Sequence, residues 1–386
     1  MRFTPEHHLF RQTVRRFVEN EINPHVDAWE AAGVFPAHDL FRKMGALGFL
    51  GLSYPEQYGG MGADYWYNLI LAEELGRINC GGVPMAITVH TDMCTPALAE
   101  HGSHELKKRF LEPSIRGELV GAIAVTEPDA GSDVAGIRTR AEADGDHYLI
   151  NGSKMFITNG TQADWLCLLA RTRSGRGYEG MSLIIVPTGT PGFRVSRKLE
   201  KLGMHSSDTA ELALENVRVP KTFRIGAEGQ GFILQMRQFQ RERIVAAILA
   251  YSAAEKIVRL TIDYTRQRRV FGQPLLHNQW VYFKLAELLT EIELLRQFCY
   301  HCVERLVAGE DVTRQASMAK LKAGRLARQV ADTCIQFHGG MGYMEEYPLA
   351  RYYRDSRLTS IGAGADEVML GIIAKYEGMA PAKGRR

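Results

Sequence analysis

No segment of this sequence approaches the roughly 18 to 20 consecutive apolar residues that a helix needs to span a bilayer. An excess of one charge is missing too: 47 Lys and Arg face 44 Asp and Glu, a net charge of +3, with both signs scattered along the chain. Without a concentrated basic face, nucleic acid and acidic membrane surfaces are not expected partners. The N-terminus, Met1 to His8, carries acid and histidine where a secretory leader has an apolar stretch, so a cytoplasmic protein is expected. Only six cysteines occur, at 80, 94, 167, 299, 302 and 334, too few and too dispersed for a disulfide framework. Cys299 and Cys302 flank His301, but no second ligand pair lies near. Leu294, Leu295, Phe298, Cys302 and Leu306 recur at helical spacing, so the pair reads as buried helical thiols and no metal is expected.

What is present is ordinary globular material. Apolar residues make up 45% and charged residues 24% of 386, enough for two or three cored domains at about 150 residues each. From residue 5 to 118 the apolar period is helical: Thr4 reads as an N-cap, Pro5 as N1, and Phe10, Val14, Phe17 and Val18 as one face, with Pro24 as the stop. Further helices are expected near 65–78, 85–100 and 104–115. The texture changes near 119. Strand-like runs cover 119–126, 165–170, 181–187 and 210–219, Ile137, Thr139 and Ala141 alternate with basic residues, and Asn151-Gly152 predicts a hairpin turn between 148–150 and 154–157. After Gly226, Gly229 and Gly231 the helical period returns over 230–267, 278–308, 312–338 and 366–377, with Gly309 and Gly339-Gly340 as stops. The expectation is an α+β chain: an N-terminal helical domain (1–118), a middle antiparallel β-barrel domain (119–222) and a C-terminal four-helix bundle (223–386), with a frayed tail from Pro381 to Arg386.

The joints of this layout carry motifs. Thr126-Glu127-Pro128-Asp129-Ala130-Gly131-Ser132-Asp133 resembles the T-E-P-x-A-G-S-D segment of acyl-CoA dehydrogenases. The run from Asn151 to Gly160 is similar to that family's N-G-x-K-x-W/F-I-T/S-N-G element. Arg268-Arg269-Val270-Phe271-Gly272 with Gln279, and Gln336-Phe337-His338-Gly339-Gly340-Met341-Gly342 with Tyr347-Pro348, match two later elements in the family's order. Alone, a glycine cluster is usually a helix cap, and Arg268-Arg269 a solvated pair; the ordered set lifts them above that. The resemblance implies FAD held without a Rossmann domain. Val125, Thr126, Ser132, Phe156, Ile157 and Thr158 would line the flavin, with Phe156 replacing a tryptophan common in the family. Arg268, Phe271 and Gln279 resemble positions that hold the pyrophosphate and adenine from a neighbouring subunit, with Gln336, Gly339 and Gly340 as a second such set, and Ala365 and Glu367 fall at further FAD-contact positions. The resemblance therefore implies a homotetramer with FAD at subunit interfaces.

The chemistry it implies is α,β-dehydrogenation of an acyl-CoA thioester, in which a carboxylate takes the α-proton while the β-hydrogen leaves as hydride to the flavin. Many members carry that carboxylate in a Y-E-G-T segment, where this chain has Gly362-Ala363-Gly364-Ala365, and Ala363 cannot abstract a proton. Isovaleryl-CoA and long-chain dehydrogenases use a glutamate in an E-R-L/I sequence on the first bundle helix. Glu242, in Gln240-Arg241-Glu242-Arg243-Ile244, matches it and is the expected base, with Phe239 and Ala246 giving it an apolar setting. Taken alone, Glu242 would read as an exposed carboxylate paired with Arg241 or Arg243. Asp366 and Glu367 are weaker rivals. Ser132, Gln240, Arg243, Gly362, Ala363 and Gly364 are the expected substrate contacts, the Ala363 amide polarising the thioester carbonyl.

Small residues at 362 and 363 leave room near C3 and C4 of the acyl chain, and the string Ile361 to Glu367 is similar to those of isovaleryl- and bacterial citronellyl-CoA dehydrogenases. A β-methyl-branched acyl-CoA is therefore favoured and a long straight chain is next. An electron-transferring flavoprotein is the implied electron acceptor. Two alternatives remain: an acyl-CoA oxidase, whose usual extra C-terminal region 386 residues leave no room for, and a catalytically silent scaffold or binding subunit.

Overall fold

A computed structural model describes residues 3–174 and 178–379; the expected fraying from Pro381 to Arg386 lies outside the described residues. The first helix, Pro5–Phe17, begins as its sequence dictates. The Thr4 hydroxyl accepts from the His7 amide, His7 Nδ1 accepts from the Thr4 amide, and Pro5 stands at N1 where no amide is needed. The α-helix gives way to a π turn, Val18–Ile22, and then a 3-10 turn, Asn23–His25, around Pro24. Proline lacks the N–H that would continue the ladder. The stretch expected over 85–100 is likewise broken, into Gly82–Thr88, a π turn Val89–Cys94, and Thr95–His101 with Pro96 at its start.

Helix Tyr65–Leu75 is buried on nearly every side because both its faces are covered, its buried Glu73 and Glu74 pairing with Arg11 and Arg15. Leu71 and Leu75 enter the N-terminal core with Val14, Phe41 and Leu50, whereas Leu69, Ile70 and Ala72 enter the bundle core. Asp64 caps it through the Trp66 amide.

The middle domain is one eight-stranded sheet: β1 (Gly121–Ala124), β2 (Arg140–Asp144), β3 (His147–Thr158), β4 (Trp165–Arg171), β5 (Met181–Pro187), β6 (Phe193–Lys198), β7 (Thr209–Pro220) and β8 (Arg224–Ile225). The order is β6-β7-β3-β2-β4-β5-β8, mainly antiparallel, with β1 parallel to β4. The expected hairpin at Asn151-Gly152 is corrected: β3 runs straight through both residues, and the tight turn is at Gly145 (φ +56), between β2 and β3. Gly152 serves close approach instead, since a Cβ there would stand 2.5 Å from Thr139 Oγ1 and 2.8 Å from Thr139 Cα. The pairing of β3 with β7 shifts register at this point and again between Lys154 and Ile157.

The C-terminal helices Gly231–Gln267, Gln279–Val307 and Thr313–His338 pack around one apolar core, to which a short helix Pro348–Ser356 that the sequence reading did not anticipate adds Leu349, and the last helix, Asp366–Tyr376, packs against Thr313–His338. All six cysteines are buried and free, Cys299 and Cys302 facing that core. No helix of the described residues is long and apolar enough to cross a membrane.

Candidate active site

Two segments meant for the flavin come together at one edge of the sheet. The Met155 amide donates to the Thr126 carbonyl at 2.9 Å, placing Val125 and Thr126 beside the Phe156 to Thr158 end of β3. Below them Lys154, wholly buried, donates from Nζ to the carbonyls of Val125 (3.0 Å) and Leu169 (2.8 Å) and to the Glu127 carboxylate (2.9 Å). Glu127 in turn accepts from the amides of Arg138 and Thr139 and from the Thr139 hydroxyl. Burial pushes the lysine down to about 8, while the lysine charge and these bonds hold the Glu127 carboxyl below its usual range. The knot is legible only in part from sequence, since a lysine between Ser153 and Met155 on a strand reads as solvent-facing.

Above the knot, Phe156 adopts a left-handed backbone (φ +61) that an aromatic residue rarely takes, and its ring is 66% exposed. A strained, uncovered ring flanked by the half-buried Thr126 and Thr158 fits a planar ring system with hydrogen-bonding edges, so the residues present suit an isoalloxazine. Val125 and Ile157 are buried beneath this edge, and Ser132 is exposed beyond it.

The second group lies at the far end of the bundle. Arg268 and Phe271 follow the first long helix, Gln279 opens the next, and Gln336, Gly339 and Gly340 close the third. The Tyr264 ring stacks on His338 at 4.1 Å and its hydroxyl donates to the His338 carbonyl, which draws the two helix ends together. All six residues are exposed, and Phe271 is fully so at φ +48. Glu242 lies 26 residues before Arg268 on a continuous helix, about 39 Å at about 1.5 Å per residue, longer than an extended dinucleotide.

Glu242 itself is 7% exposed, and burial pushes its carboxyl up to about 7 against the opposing charges of Arg243 and Lys320. No hydrogen bond or ion pair within 4 Å holds its carboxylate among the described residues. Arg243, equally buried, stacks over Phe239 at 5.6 Å with Nη1 near Ser317 Oγ (3.5 Å), and its Nε lacks a partner. Gln240 faces another way: its Oε1 accepts from the Val312 amide at 2.9 Å, in a cleft of about 470 Å³ with Glu100, His101, Arg237 and Arg241.

The Gly362-Ala363-Gly364 turn holds Ala363 at φ +54 and Gly364 at φ +89. Its Gly364 carbonyl accepts from the buried Nζ of Lys320. Asp366 opens the last helix and pairs with Arg328 (3.2 Å) and Arg325 (3.9 Å), so it is engaged as a helix-start anion. Ala365 caps that helix and Glu367 is exposed. Lys320 was missed by the sequence reading; the signal was its place on the small-residue stripe Ala316, Ala319, Ala323 and Ala327.

The chain thus combines a helical domain, a β domain and a helical bundle with a buried carboxyl at Glu242 and an exposed aromatic ring at Phe156 in a left-handed backbone. The family models described as acyl-CoA dehydrogenase N-terminal, middle and C-terminal domains match residues 4–118, 122–217 and 229–377, and the chain belongs to the acyl-CoA dehydrogenase family. Long-chain specific acyl-CoA dehydrogenase, mitochondrial, from Sus scrofa is 42% identical over 97% of this chain and 86% of its own length. Isovaleryl-CoA dehydrogenase, mitochondrial, from Oryza sativa subsp. japonica is 38% identical over 95% and 90%. The crystal structure of acyl-CoA dehydrogenase from Geobacillus kaustophilus superposes with a TM-score of 0.94 at 44% identity, covering 97% of this chain and 98% of that one. Butyryl-CoA dehydrogenase from Megasphaera elsdenii gives 0.93 at 34%, over 97% and 98%.

Proposed function

We propose that this chain oxidises a branched acyl-CoA to its trans-2-enoyl-CoA with FAD bound, using Glu242 as base. One observation carries the reading. Glu242 is a buried carboxyl held near 7 beside the Gly362-Ala363-Gly364 turn's lysine, while position 363 offers no carboxylate at all. The ionised Glu242 takes the α-proton. The Ala363 amide and the turn around it stabilise the developing enolate oxygen, without which an α-C–H is too weak an acid. Val125, Thr126, Ser132, Phe156, Ile157 and Thr158 would hold the isoalloxazine, and Ala365 and Glu367 would add contacts at the start of the last helix. The bound flavin supplies hydride acceptance at its N5. Arg268, Phe271, Gln279, Gln336, Gly339 and Gly340 would serve the cofactor of a neighbouring chain, which the 39 Å separation, about 26 helical rises, supports.

A homotetramer, cytoplasmic and handing electrons to an electron-transferring flavoprotein, completes the reading. The three-domain division at 118/119 and 222/223 is supported by the passage from helix to strand between Ile115 and Gly121, and from strand to helix between Ile225 and Gly231. Gly362 and Ala363 favour a β-methyl branch, and the relatives named for isovaleryl and long-chain substrates bracket the chemistry. The test is anaerobic mixing of the FAD-loaded protein with isovaleryl-, citronellyl-, octanoyl- and palmitoyl-CoA. Rapid bleaching of the flavin band by a branched thioester supports the reading, a preference for palmitoyl-CoA moves it to straight long chains, and no bleaching by any sinks it. Glu242→Gln should slow bleaching by about 10²–10⁴-fold; unchanged turnover would remove Glu242 as base.

A further inference from the structure

Lys320 stands out among the buried charges because the proposed chemistry does not require a lysine. It is fully enclosed on helix Thr313–His338, a position that a lysine tolerates only with partners. Its ammonium donates to the Gly364 carbonyl, one residue past Ala363, in the part of the chain where two consecutive residues hold positive φ. An alanine in the left-handed region persists only where its surroundings fix it. The rest of the same helix face closes the loop from below: a Cβ at Gly324 would lie 2.7 Å from Ser360 Oγ and 3.1 Å from the Thr359 carbonyl, and Arg328 holds Asp366.

We propose that Lys320 is a positioning residue of the active site, one ammonium that clamps the Ala363-Gly364 turn through the Gly364 carbonyl and faces Glu242 with its charge. The inference rests on the reading of Glu242 as base. The charged groups around the pair are few. Arg243 on the first bundle helix and Lys320 on the third both oppose the burial that raises Glu242. Burial lowers Lys320 itself to about 8, with Asp366, Glu242 and Glu367 working against that shift and Arg243 adding to it. One side chain thus couples the direction of the Ala363 amide to the ionisation of the base. Losing its charge leaves only Arg243 to favour the carboxylate, so the pH at which Glu242 becomes a base must rise.

Two variants separate the roles. Lys320→Gln keeps a donor near the Gly364 carbonyl without the charge, and Lys320→Met removes both. The holoenzyme is followed by single-turnover flavin bleaching across pH, with FAD content, thermal melting and the dissociation constant of the enoyl-CoA product measured alongside. The expected result is a rate profile displaced to higher pH in both variants. The limiting rate at high pH should be near wild type for Lys320→Gln and about tenfold lower for Lys320→Met, with weaker product binding only in the latter. A purely structural lysine would lower melting temperature and leave the pH midpoint in place, and that outcome overturns the proposal. So does failure of both variants to fold. Glu242→Gln is run beside them: if it still turns over, the assignment of the base has failed, whereas a dead Glu242→Gln with normal Lys320 variants defeats this inference alone.

Discussion

At the scale of a residue, the burial of the Glu242 carboxyl costs stability as the pH rises. That carboxyl has an ordinary value of 4.5 in the unfolded chain and about 7 when folded. Because the folded value is raised, the native chain keeps a proton that the unfolded chain releases between those two values. Stability is therefore full below about pH 4.5 and declines as pH rises toward 7, by about 3 kcal/mol in order of magnitude. Glu242→Gln removes that loss. Unfolding free energies from denaturant titrations should coincide for the two proteins near pH 4.5 and separate in favour of the glutamine variant by about 3 kcal/mol near pH 8.5. Parallel curves would mean that the carboxylate is ionised without penalty and would end the burial argument. Glu242 was singled out in the sequence because two facts converged on it, the E-R-I register and the alanine at 363, whereas its burial, which sets it apart from an exposed helix carboxylate, shows only in the fold. Lys320 was not, because a lone lysine in a helical stretch ordinarily points to water, and only tertiary packing against Gly364 buries it.

At the scale of an element, long periodic helices were read to within a residue or two, because their apolar stripes face one shared core. β4 and β5 were equally plain through the apolar runs Trp165 to Ala170 and Leu183 to Val186, covered on both faces. β6 was not, since Phe193 is half-buried and the rest of the strand is exposed, an edge strand without an alternating pattern. Asn151-Gly152 misled for a different reason: the dipeptide fits a turn locally, but Thr139, just before β2, passes so near β3 that only glycine fits at position 152. The two glycines should therefore respond differently. Gly145→Ala meets no neighbour within 4 Å and pays only for its positive φ, about 1–2 kcal/mol. Gly152→Ala drives a Cβ into Thr139, whose amide and hydroxyl both bond Glu127. A loss of about 1–3 kcal/mol is expected, together with weaker FAD retention on gel filtration that Gly145→Ala does not share. Equal FAD retention by both variants would uncouple β2 from the flavin edge.

At the scale of the whole molecule, a buried charge network reinforces the seam between the N-terminal helices and the bundle that Leu69, Ile70 and Ala72 also cross. Glu73, buried on helix Tyr65–Leu75, pairs with Arg11 of the first helix at 2.5 Å and accepts from the hydroxyls of Tyr251 (2.6 Å) and Tyr300 (2.8 Å) on two bundle helices. Glu73→Ala takes one of two carboxylates from the half-buried Arg11, which keeps Glu74, and an acceptor from the Tyr251 and Tyr300 hydroxyls, and about 1–3 kcal/mol of stability should go with it in chemical denaturation; a loss below about 0.5 kcal/mol would make the network ornamental. The largest claim at this scale concerns how many chains make one site. Arg268 lies about 39 Å along the helix from Glu242, so a flavin served by both needs two subunits. Glu242→Gln removes the proposed base and Arg268→Ala the proposed distal anion contact. If one site draws Glu242 from one chain and Arg268 from its neighbour, unfolding and refolding the two inactive variants together at limiting FAD restores roughly a quarter of the sites, by random pairing of chains. Were both residues to serve the same cofactor within one chain, no mixture would contain an intact site, and activity would stay at the level of the separate variants.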